Sequence, residues 1–259
     1  AVIFDTFTHS CFGPEFNAIS FIPSNWKEVM EDHPVDGLFI ESAWRGYRDA
    51  WRDKIAYIDQ RNQAEVIKLL NWAKNRNIPC IFWNKEDPVH FGQFISLAKN
   101  FNFIYTTDAD CIPEYQKNAP SALVQALPFA AQPKIHNPIA DIPRNQSVCF
   151  AGTYYNKRYH ERKADMDFLL KPALDYGLEI YDRHFGDSSQ MARNYRFPDI
   201  YKTAIRGKLD YEEMVNAYKQ YKVFLNVNSV KYSHTMFARR VFELLASGTP
   251  VISTYSKGI

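Results

Sequence analysis

Residues 221–254 contain, in order, the patterns of a buried strand, a loop, an amphipathic helix, a tight turn and a second buried strand. Val223, Leu225 and Val227 alternate in the manner of a strand that buries one face. The apolar positions of the helix recur every three or four residues and are Phe237, Val241, Leu244 and Leu245. Gly248 can adopt the left-handed conformation that ends a helix, and Pro250 cannot continue one. This order predicts one strand–helix–strand repeat of a parallel sheet.

The same alternation runs through the rest of the chain. Strands are predicted at 1–5, 37–42, 79–83, 103–107, 147–151 and 178–181. Helices are predicted at 24–30, 60–76, 90–99, 156–176 and 210–221. Gly177 closes the fourth of these, and Asp210 begins the fifth with a capping box. We expect residues 6–15 and 84–90 to be loops that leave the ends of strands. Strands that alternate with helices predict an α/β fold with parallel sheets.

A change in composition suggests where two domains meet. Five prolines between 120 and 144 exclude a long helix there. We therefore predict an N-terminal Rossmann-like domain at 1–143 and a C-terminal one at 144–259. Two such halves would face a cleft, with ligands at the carboxyl ends of their strands. Both ends of the sequence look cut, so we expect the C-terminal domain to be incomplete.

Composition excludes several classes of protein. The chain has 259 residues, of which 46% are hydrophobic and 23% charged, which is typical of a globular protein. A net charge of +2 without a basic run argues against nucleic-acid binding. The four cysteines are widely spaced, which favours buried thiols in a reducing compartment and no zinc site. No segment has the length and hydropathy of a membrane span, so we expect a cytoplasmic protein.

The start of the last predicted helix is a candidate anion site. Its first amides, with Ser233 and Thr235, would present donors and the positive end of the helix dipole. Arg239 and Arg240 follow one turn later, and Glu243 shares their face. Two cations suit a diphosphate, and the carboxylate suits a ribose diol. The alternative is a surface pair of Arg and Glu over an ordinary apolar core.

Residues 242–253 read Phe-Glu-Leu-Leu-Ala-Ser-Gly-Thr-Pro-Val-Ile-Ser. This run resembles the signature of the C-terminal domain of GT-B glycosyltransferases, and the resemblance implies that Glu243 holds the ribose of the sugar donor. Many members carry a second Glu eight residues earlier, where this chain has Thr235. Most of the chain resembles the CgeB-type, spore maturation protein-like glycosyltransferases, which share Phe-Ala-Gly-Thr-Tyr-Tyr, Asn-Val-Asn-Ser and Arg-Val-Phe-Glu.

A second candidate for the donor site lies near the start of the C-terminal half. Gly152 follows a predicted strand and precedes a helix whose first turns carry Lys157, Arg158 and Arg162. A glycine lets the backbone approach a phosphate closely. The resemblance to GT-B donor domains implies that Gly152 and Arg158 line the diphosphate. The alternative is a structural turn with solvated basic residues.

Polar residues at the strand ends of the N-terminal half are candidates for catalysis. They are His9, Glu41, Lys85, Glu86, Asp87 and His90. An inverting sugar transfer needs a base for the acceptor hydroxyl, and Glu41, Asp87 or His9 could supply one. For the carboxylates the alternative is a cap on a neighbouring helix, and for the histidine a structural role. Trp44 and Trp83 could stack on a sugar or lie in the core.

Asp108 and Asp110 have the Asp-x-Asp spacing of a divalent metal site. A metal of this kind belongs to the GT-A glycosyltransferases, which lack the signature around Glu243. Since Pro113 opens the next helical segment, we favour a helix cap at Asp110 and predict no metal.

Together these patterns predict a GT-B glycosyltransferase that transfers a sugar from a nucleoside diphosphate sugar, most simply a UDP-sugar, without a further cofactor. The acceptor, whether a glycan, a protein or a small molecule, stays open. Two alternatives also stay open: a nucleotide-sugar epimerase on the same fold, and a non-catalytic structural module.

Overall fold

The computed structural model describes residues 1–57, 60–139, 143–156, 160–190 and 192–259. Within these residues there are two sheets of five parallel strands, which confirms the predicted α/β class. The strands of the first sheet are β1 Val2–Ile3, β2 Leu38–Glu41, β3 Cys80–Asn84, β4 Phe103–Thr106 and β5 Leu123–Ala126. Those of the second are β6 Asn145–Gly152, β7 Leu178–Asp182, β8 Ile205–Gly207, β9 Tyr221–Asn226 and β10 Val251–Ser253. The α-helices are α1 Thr6–Phe12, α2 Trp26–Asp32, α3 Ala64–Lys74, α4 Phe91–Ala98, α5 Ile112–Asn118, α6 His160–Ala173, α7 Tyr211–Gln220 and α8 Arg240–Ala246.

Packing divides the chain into two compact units. The first contains Ala1–Phe129 together with Ser233–Met236 and Gly258. The second contains Ala130–Tyr232, Phe237–Lys257 and Ile259. The described residues of the proline-rich segment 130–143 therefore pack with the second unit, whereas the sequence placed them before the boundary.

The first sheet is built in simple chain order. Its strands lie in the order β1-β2-β3-β4-β5, so each strand is placed beside the one that precedes it. Helix α3 covers the sheet with the apolar stripe that its periodicity predicts, formed by Val66, Leu69, Leu70 and Ala73, all buried. Because the order never reverses, this sheet has no point at which successive loops diverge to opposite sides.

The second sheet does reverse. Its order is β10-β9-β6-β7-β8, so the chain builds outward from β6 in one direction and then returns to place β9 on the other side. Residues Val148 and Val223 pair across this junction. In open parallel sheets the loops that leave two such neighbouring strands diverge, and their carboxyl ends border the crevice in which ligands bind.

Local signals set several ends of helices as predicted. The Asp210 side chain accepts the backbone amide of Glu213 at 2.9 Å, and the Glu213 side chain accepts the backbone amide of Asp210 at 2.8 Å. These two bonds form the capping box of α7. Gly177 and Gly248 have φ of +72° and +67°, the left-handed values expected after a helix.

Three features differ from the predictions. Residues 6–12 form α1 instead of part of a loop, because Asp5 provides an extended entry and the apolar side chains of the segment cluster on Phe4 and Phe39. Strands β5 and β8 were not predicted. Both are edge strands, and the exposed residues of β5 alternate with half-buried ones.

No helix among the described residues is long and apolar enough to cross a membrane.

Candidate functional site

The reversal in the second sheet brings together two loops, one after β6 and one after β9. Strand β6 ends at Gly152, and α8, which follows β9, begins at Arg240. The Arg240 guanidinium donates through Nη1 to the carbonyl of Ala151, and its Nε lies 3.3 Å from the hydroxyl of Tyr218. A side chain that follows β9 thus holds the carboxyl end of β6.

Arg162 makes the reciprocal connection. It lies on α6, after β6, and its Nη1 donates to the carbonyl of Val227 at 2.6 Å and to Ser229 Oγ at 2.9 Å, both just beyond β9. Its Nε is buried and has no hydrogen-bond partner among the described residues. Burial lowers the pKa of Arg162, and the positive charges of Arg240 and Arg183 add to this effect. The switch point therefore gathers cationic charge.

Glu243 projects from α8 into the interior of the second unit, where only 1% of its side chain is exposed. Its Oε2 accepts the hydroxyl of Tyr218 at 2.8 Å. Its Oε1 accepts the hydroxyl of Tyr211 at 3.1 Å and a close bond from Arg239. Burial would raise the pKa of Glu243, but the charge of Arg239 and the hydrogen bond from Tyr218 oppose it, and the pKa lies below its ordinary value of 4.5. The group is a buried carboxylate anion.

These contacts limit what Glu243 can bind. A carboxylate offers about four lone-pair positions, two on each oxygen. Arg239 and Tyr211 occupy those of Oε1, and Tyr218 occupies one of the two on Oε2. From the sequence we expected the carboxylate to accept both hydroxyls of a ribose diol. In the structure only one acceptor position, on Oε2, is open. A second position opens only if one of the three donors moves away.

Three of the predicted donor-binding residues, Arg239, Arg240 and Glu243, belong to this network, and Gly152 directly follows Ala151, whose carbonyl accepts from Arg240. A Cβ on Gly152 would lie 3.1 Å from the ring of Phe150, so the site tolerates no larger residue without a shift of that ring. Lys157 and Arg158, predicted on the same loop, lie outside the described residues.

The last helix begins later than the sequence predicted. Helix α8 begins at Arg240 and is seven residues long, whereas the sequence suggested a start near Thr235. Side chains already bind the amides that precede it. Ser233 Oγ accepts the amides two and three residues further along, at 3.2 and 2.9 Å, and Asn228 Oδ1 accepts that of Ala238 at 3.1 Å. These amides are not available to an anion.

Ser233 and Thr235 belong to the first unit. Thr235 Oγ1 donates to the carbonyl of Thr107 at 2.9 Å and accepts the amide of Ala109 at 2.8 Å. Ser233 Oγ donates to Asp108 Oδ1 at 2.6 Å. Their predicted contact with a donor stays a prediction.

The Asp-x-Asp pair caps a short helix, but the cap is the first aspartate. Asp108 Oδ1 accepts the amide of Asp110 at 3.2 Å, so the assignment of the cap to Asp110 was wrong. The reason is that the turn begins at Ala109, one residue after Asp108, and only the residue before a turn can reach its free amides.

Glu41, a predicted catalytic residue, is completely buried at the end of β2. It accepts the hydroxyl of Thr8 at 2.6 Å and the amide of Asp5 at 2.5 Å, and Lys85 Nζ lies 3.1 Å away. Burial raises the pKa of Glu41 against the opposing charge of Lys85. Lys85 also pairs with Asp5 at 2.8 Å, so this cluster joins the ends of β1, β2 and β3.

Asp87 is also completely buried, but no cation contacts it among the described residues. Its Oδ1 accepts from Asn84 at 2.7 Å, and its Oδ2 accepts the hydroxyls of Thr106 at 2.6 Å and Tyr115 at 2.9 Å. Burial raises its pKa to about 7, because the hydroxyl donors only partly compensate for lost hydration. Asp87 thus titrates near neutral pH.

His9 is half-buried within α1, in the first unit like Glu41 and Asp87. Trp83 is buried, and its Nε1 donates to the carbonyl of Leu127 at 2.9 Å, so it is a core residue. Trp44 packs edge-on against His90, with ring centroids 5.1 Å apart. The catalytic roles assigned to the three predicted residues stay predictions.

The sequence analysis assigned no site role to Tyr211, Tyr218, His136 or Arg183. Arg183 could have been found, because it lies two residues after a predicted strand, and its backbone amide donates to the carbonyl of Gly152 at 3.1 Å. The two tyrosines lie two turns apart on the same face of α7, and no motif in the sequence marked them. His136 lies in the proline-rich segment, where no local pattern marks it.

Comparisons with known proteins give a family match to part of the chain. A family model described as Glycosyl transferase-like matches residues 162–259, less than half of the chain. No curated protein sequence matches it. Similar solved structures include MurG of Acinetobacter baumannii, with 14% identity and a TM-score of 0.36 over 90% of this chain and 56% of that one. The GtfA/B complex has 11% identity and a TM-score of 0.40 over 89% and 44%. The lipopolysaccharide outer core galactosyltransferase WaaB has 11% identity and a TM-score of 0.37 over 89% and 59%. The chain thus spans about half the length of these proteins.

Proposed function

We propose that the protein is a glycosyltransferase of the GT-B type, similar to the CgeB-type proteins, and that its second unit binds a nucleoside diphosphate sugar. One observation carries the proposal. The end of β6, where Gly152 lies, and α8, which carries Arg240 and Glu243, are far apart in the sequence, yet Arg240 bonds to the carbonyl of Ala151 where the second sheet reverses. The match of residues 162–259 to a Glycosyl transferase-like model supports the same activity.

The cationic groups at the switch point suit a diphosphate. Arg162 and Arg240 are fixed through backbone carbonyls, and Arg162 retains a buried donor without a partner among the described residues. As the sugar leaves, negative charge grows on the diphosphate, and donors held in place beforehand stabilise that charge without reorganisation. We assign this task to Arg162, Arg239 and Arg240, together with Arg158.

Recognition of the ribose requires a partner exchange at Glu243. The Arg239 side chain is 24% exposed, whereas that of Glu243 is 1% exposed. In our proposal the Arg239 guanidinium turns from the carboxylate to the diphosphate. The position that it leaves on Oε1 then accepts a ribose hydroxyl. Tyr211 and Tyr218 keep the carboxylate in place during the exchange.

For the acceptor we propose a role for the first unit. Asp87 is the leading candidate for the general base, since a pKa of about 7 lets it take up and release a proton at neutral pH. Glu41 and His9 are the other candidates. A UDP-sugar is the proposed donor, and the acceptor stays unspecified.

Calorimetric titration with UDP, GDP and ADP tests the proposal. We expect one of the three to bind, and we expect Arg240→Ala and Glu243→Ala to weaken it at least about 10-fold, the loss of about 1.4 kcal/mol of binding free energy. Arg206→Ala is the matched control, because Arg206 lies on β8, is 44% exposed and forms an ion pair with Glu179 at 3.3 Å. Equal affinities for the control and both site variants would refute the donor site.

A non-catalytic module is the second candidate, and one observation favours it. The carboxylate of Glu243 already has three donors, as a purely structural buried charge would. Thermal-shift measurements with the three nucleotides and their sugars separate the two. A shift with a nucleotide supports the transferase, and no shift with any of them supports the module. Product analysis without an acceptor would detect the epimerase.

A further inference from the structure

His136 is a buried histidine whose two ring nitrogens have different surroundings. Its side chain has no exposed surface. The backbone amide of Gln132 donates to Nδ1 at 2.9 Å, so Nδ1 accepts this bond with its lone pair and carries no proton. The single proton of the neutral ring therefore lies on Nε2. A protonated ring would place two N–H groups face to face, and burial also lowers the pKa of His136.

The Nε2 proton points toward the carboxylate cluster. Nε2 lies 3.1 Å from the hydroxyl oxygen of Tyr211 and 3.7 Å from Glu243 Oε1. The Tyr211 hydroxyl in turn donates to Glu243 Oε1 at 3.1 Å. The three hydrogen bonds therefore run in one direction, from the backbone amide of Gln132 to His136, from His136 to Tyr211, and from Tyr211 to Glu243. The tautomer of the histidine therefore sets the direction of the tyrosine hydroxyl.

We propose that His136 is a positioning residue for ribose recognition, acting on Glu243 through the hydroxyl of Tyr211. This inference rests on the proposed function. With the tyrosine oxygen accepting from His136, its proton is directed to Oε1, and the carboxylate keeps its orientation when Arg239 turns away. Without the imidazole N–H, the donor that directs the tyrosine proton to Oε1 is lost, and a ribose hydroxyl would meet a carboxylate that is less well oriented.

The test compares UDP with 2′-deoxy-UDP and 3′-deoxy-UDP by calorimetry, in the wild type and in His136→Leu, His136→Gln and Tyr211→Phe. The ratio of affinities is the readout, because a merely structural defect weakens all three ligands equally. We expect the wild type to prefer UDP about 10-fold or more over one deoxy analogue, as for a hydrogen bond to a charged group. We expect His136→Leu to reduce that preference to about 3-fold or less.

Two further variants sharpen the assignment. Tyr211→Phe should reduce the preference as His136→Leu does, and the double variant should reduce it no further, because both act on one chain of bonds. His136→Gln retains an N–H donor and should recover part of the preference, which also guards against a folding defect in the leucine variant. His160→Leu, at an exposed position on α6, is the matched control and should keep the full ratio.

The outcomes distinguish this inference from the proposed function. If the wild type binds none of the nucleotides, the proposed function fails and this inference fails with it. If the wild type prefers UDP and His136→Leu keeps the same preference, only the positioning role fails. An equal loss of affinity for UDP and the deoxy analogues would also refute it, as would a wild type that binds without any preference.

Discussion

Replacing Glu243 with glutamine keeps the shape of the side chain and removes its charge. Arg239 would lose the negative partner of its ion pair one helical turn away. The amide NH2 of the glutamine would also face the hydroxyls of Tyr211 and Tyr218, which donate to the carboxylate. Removal of one partner from a fully buried ion pair costs about 3–5 kcal/mol. Because Arg239 is 24% exposed and can return to water, we expect a smaller loss of unfolding free energy, about 2–3 kcal/mol.

The assay is urea unfolding of both proteins at pH 7 and at pH 4 and below. The folded pKa of Glu243 lies below its ordinary value of 4.5, so the charge stabilises the protein above that pH. This stabilisation is lost as the pH falls through the folded pKa. The difference in unfolding free energy between wild type and variant should therefore be largest at pH 7 and should become smaller as the pH falls below 4.

Glu212→Gln is the matched control, because Glu212 is exposed on α7, and it should change stability by no more than about 0.5 kcal/mol. If Glu243→Gln matched this control at pH 7, the buried carboxylate would contribute nothing. If its deficit were instead unchanged at the lowest pH, the loss would come from packing and not from charge. Either result would refute the electrostatic argument.

Two other substitutions test groups outside that carboxylate cluster. The pKa of Asp87 is raised from its ordinary value of 3.8 to about 7, so the folded protein favours the neutral carboxyl. The resulting contribution to the unfolding free energy is complete below pH 3.8 and is lost as the pH rises to 7. Asp87→Asn should therefore remove a decline in unfolding free energy of about 4 kcal/mol between pH 4 and pH 8, and an unchanged decline in urea titrations would contradict this. Arg144 donates to the carbonyls of three residues and to Thr249 Oγ1, so Arg144→Met should cost about 3 kcal/mol in thermal or urea unfolding. Arg144→Lys should recover part of that loss. Arg206→Met, the exposed control, should lower the unfolding free energy by less than about 0.5 kcal/mol. Equal losses of unfolding free energy in the two methionine variants would refute the role of Arg144.

Local chemistry explains the parts of the fold that could be predicted. The capping box at Asp210 and the left-handed Gly248 act within four residues of themselves, so the sequence around them is sufficient. The helical spacing of Val241 and Leu244 likewise agrees with their burial, whereas Leu245, counted on the same stripe, is 60% exposed. The reversal between β6 and β9 has no local signal, because the order of strands depends on where each crossover lands.

The errors share a non-local cause. The start of α8 was placed too early because Asn228, ten residues away, takes the amide of Ala238 and keeps that stretch out of the helix. Glu243 was expected to be open to a ligand, but the residues that cover it come from α7 and from segment 130–139. Strand β8 has only three residues and packs at an edge, so its pattern is too short to detect.

The fixed tautomer of His136 has a spectroscopic consequence. A ring proton enclosed by protein exchanges slowly with solvent, so it should give its own resonance in a proton spectrum, coupled to only one of two ¹⁵N nuclei in labelled protein. That resonance would move whenever the tyrosine hydroxyl beside it changed partner. The chain thus contains an intrinsic reporter of its own carboxylate cluster that needs no added probe.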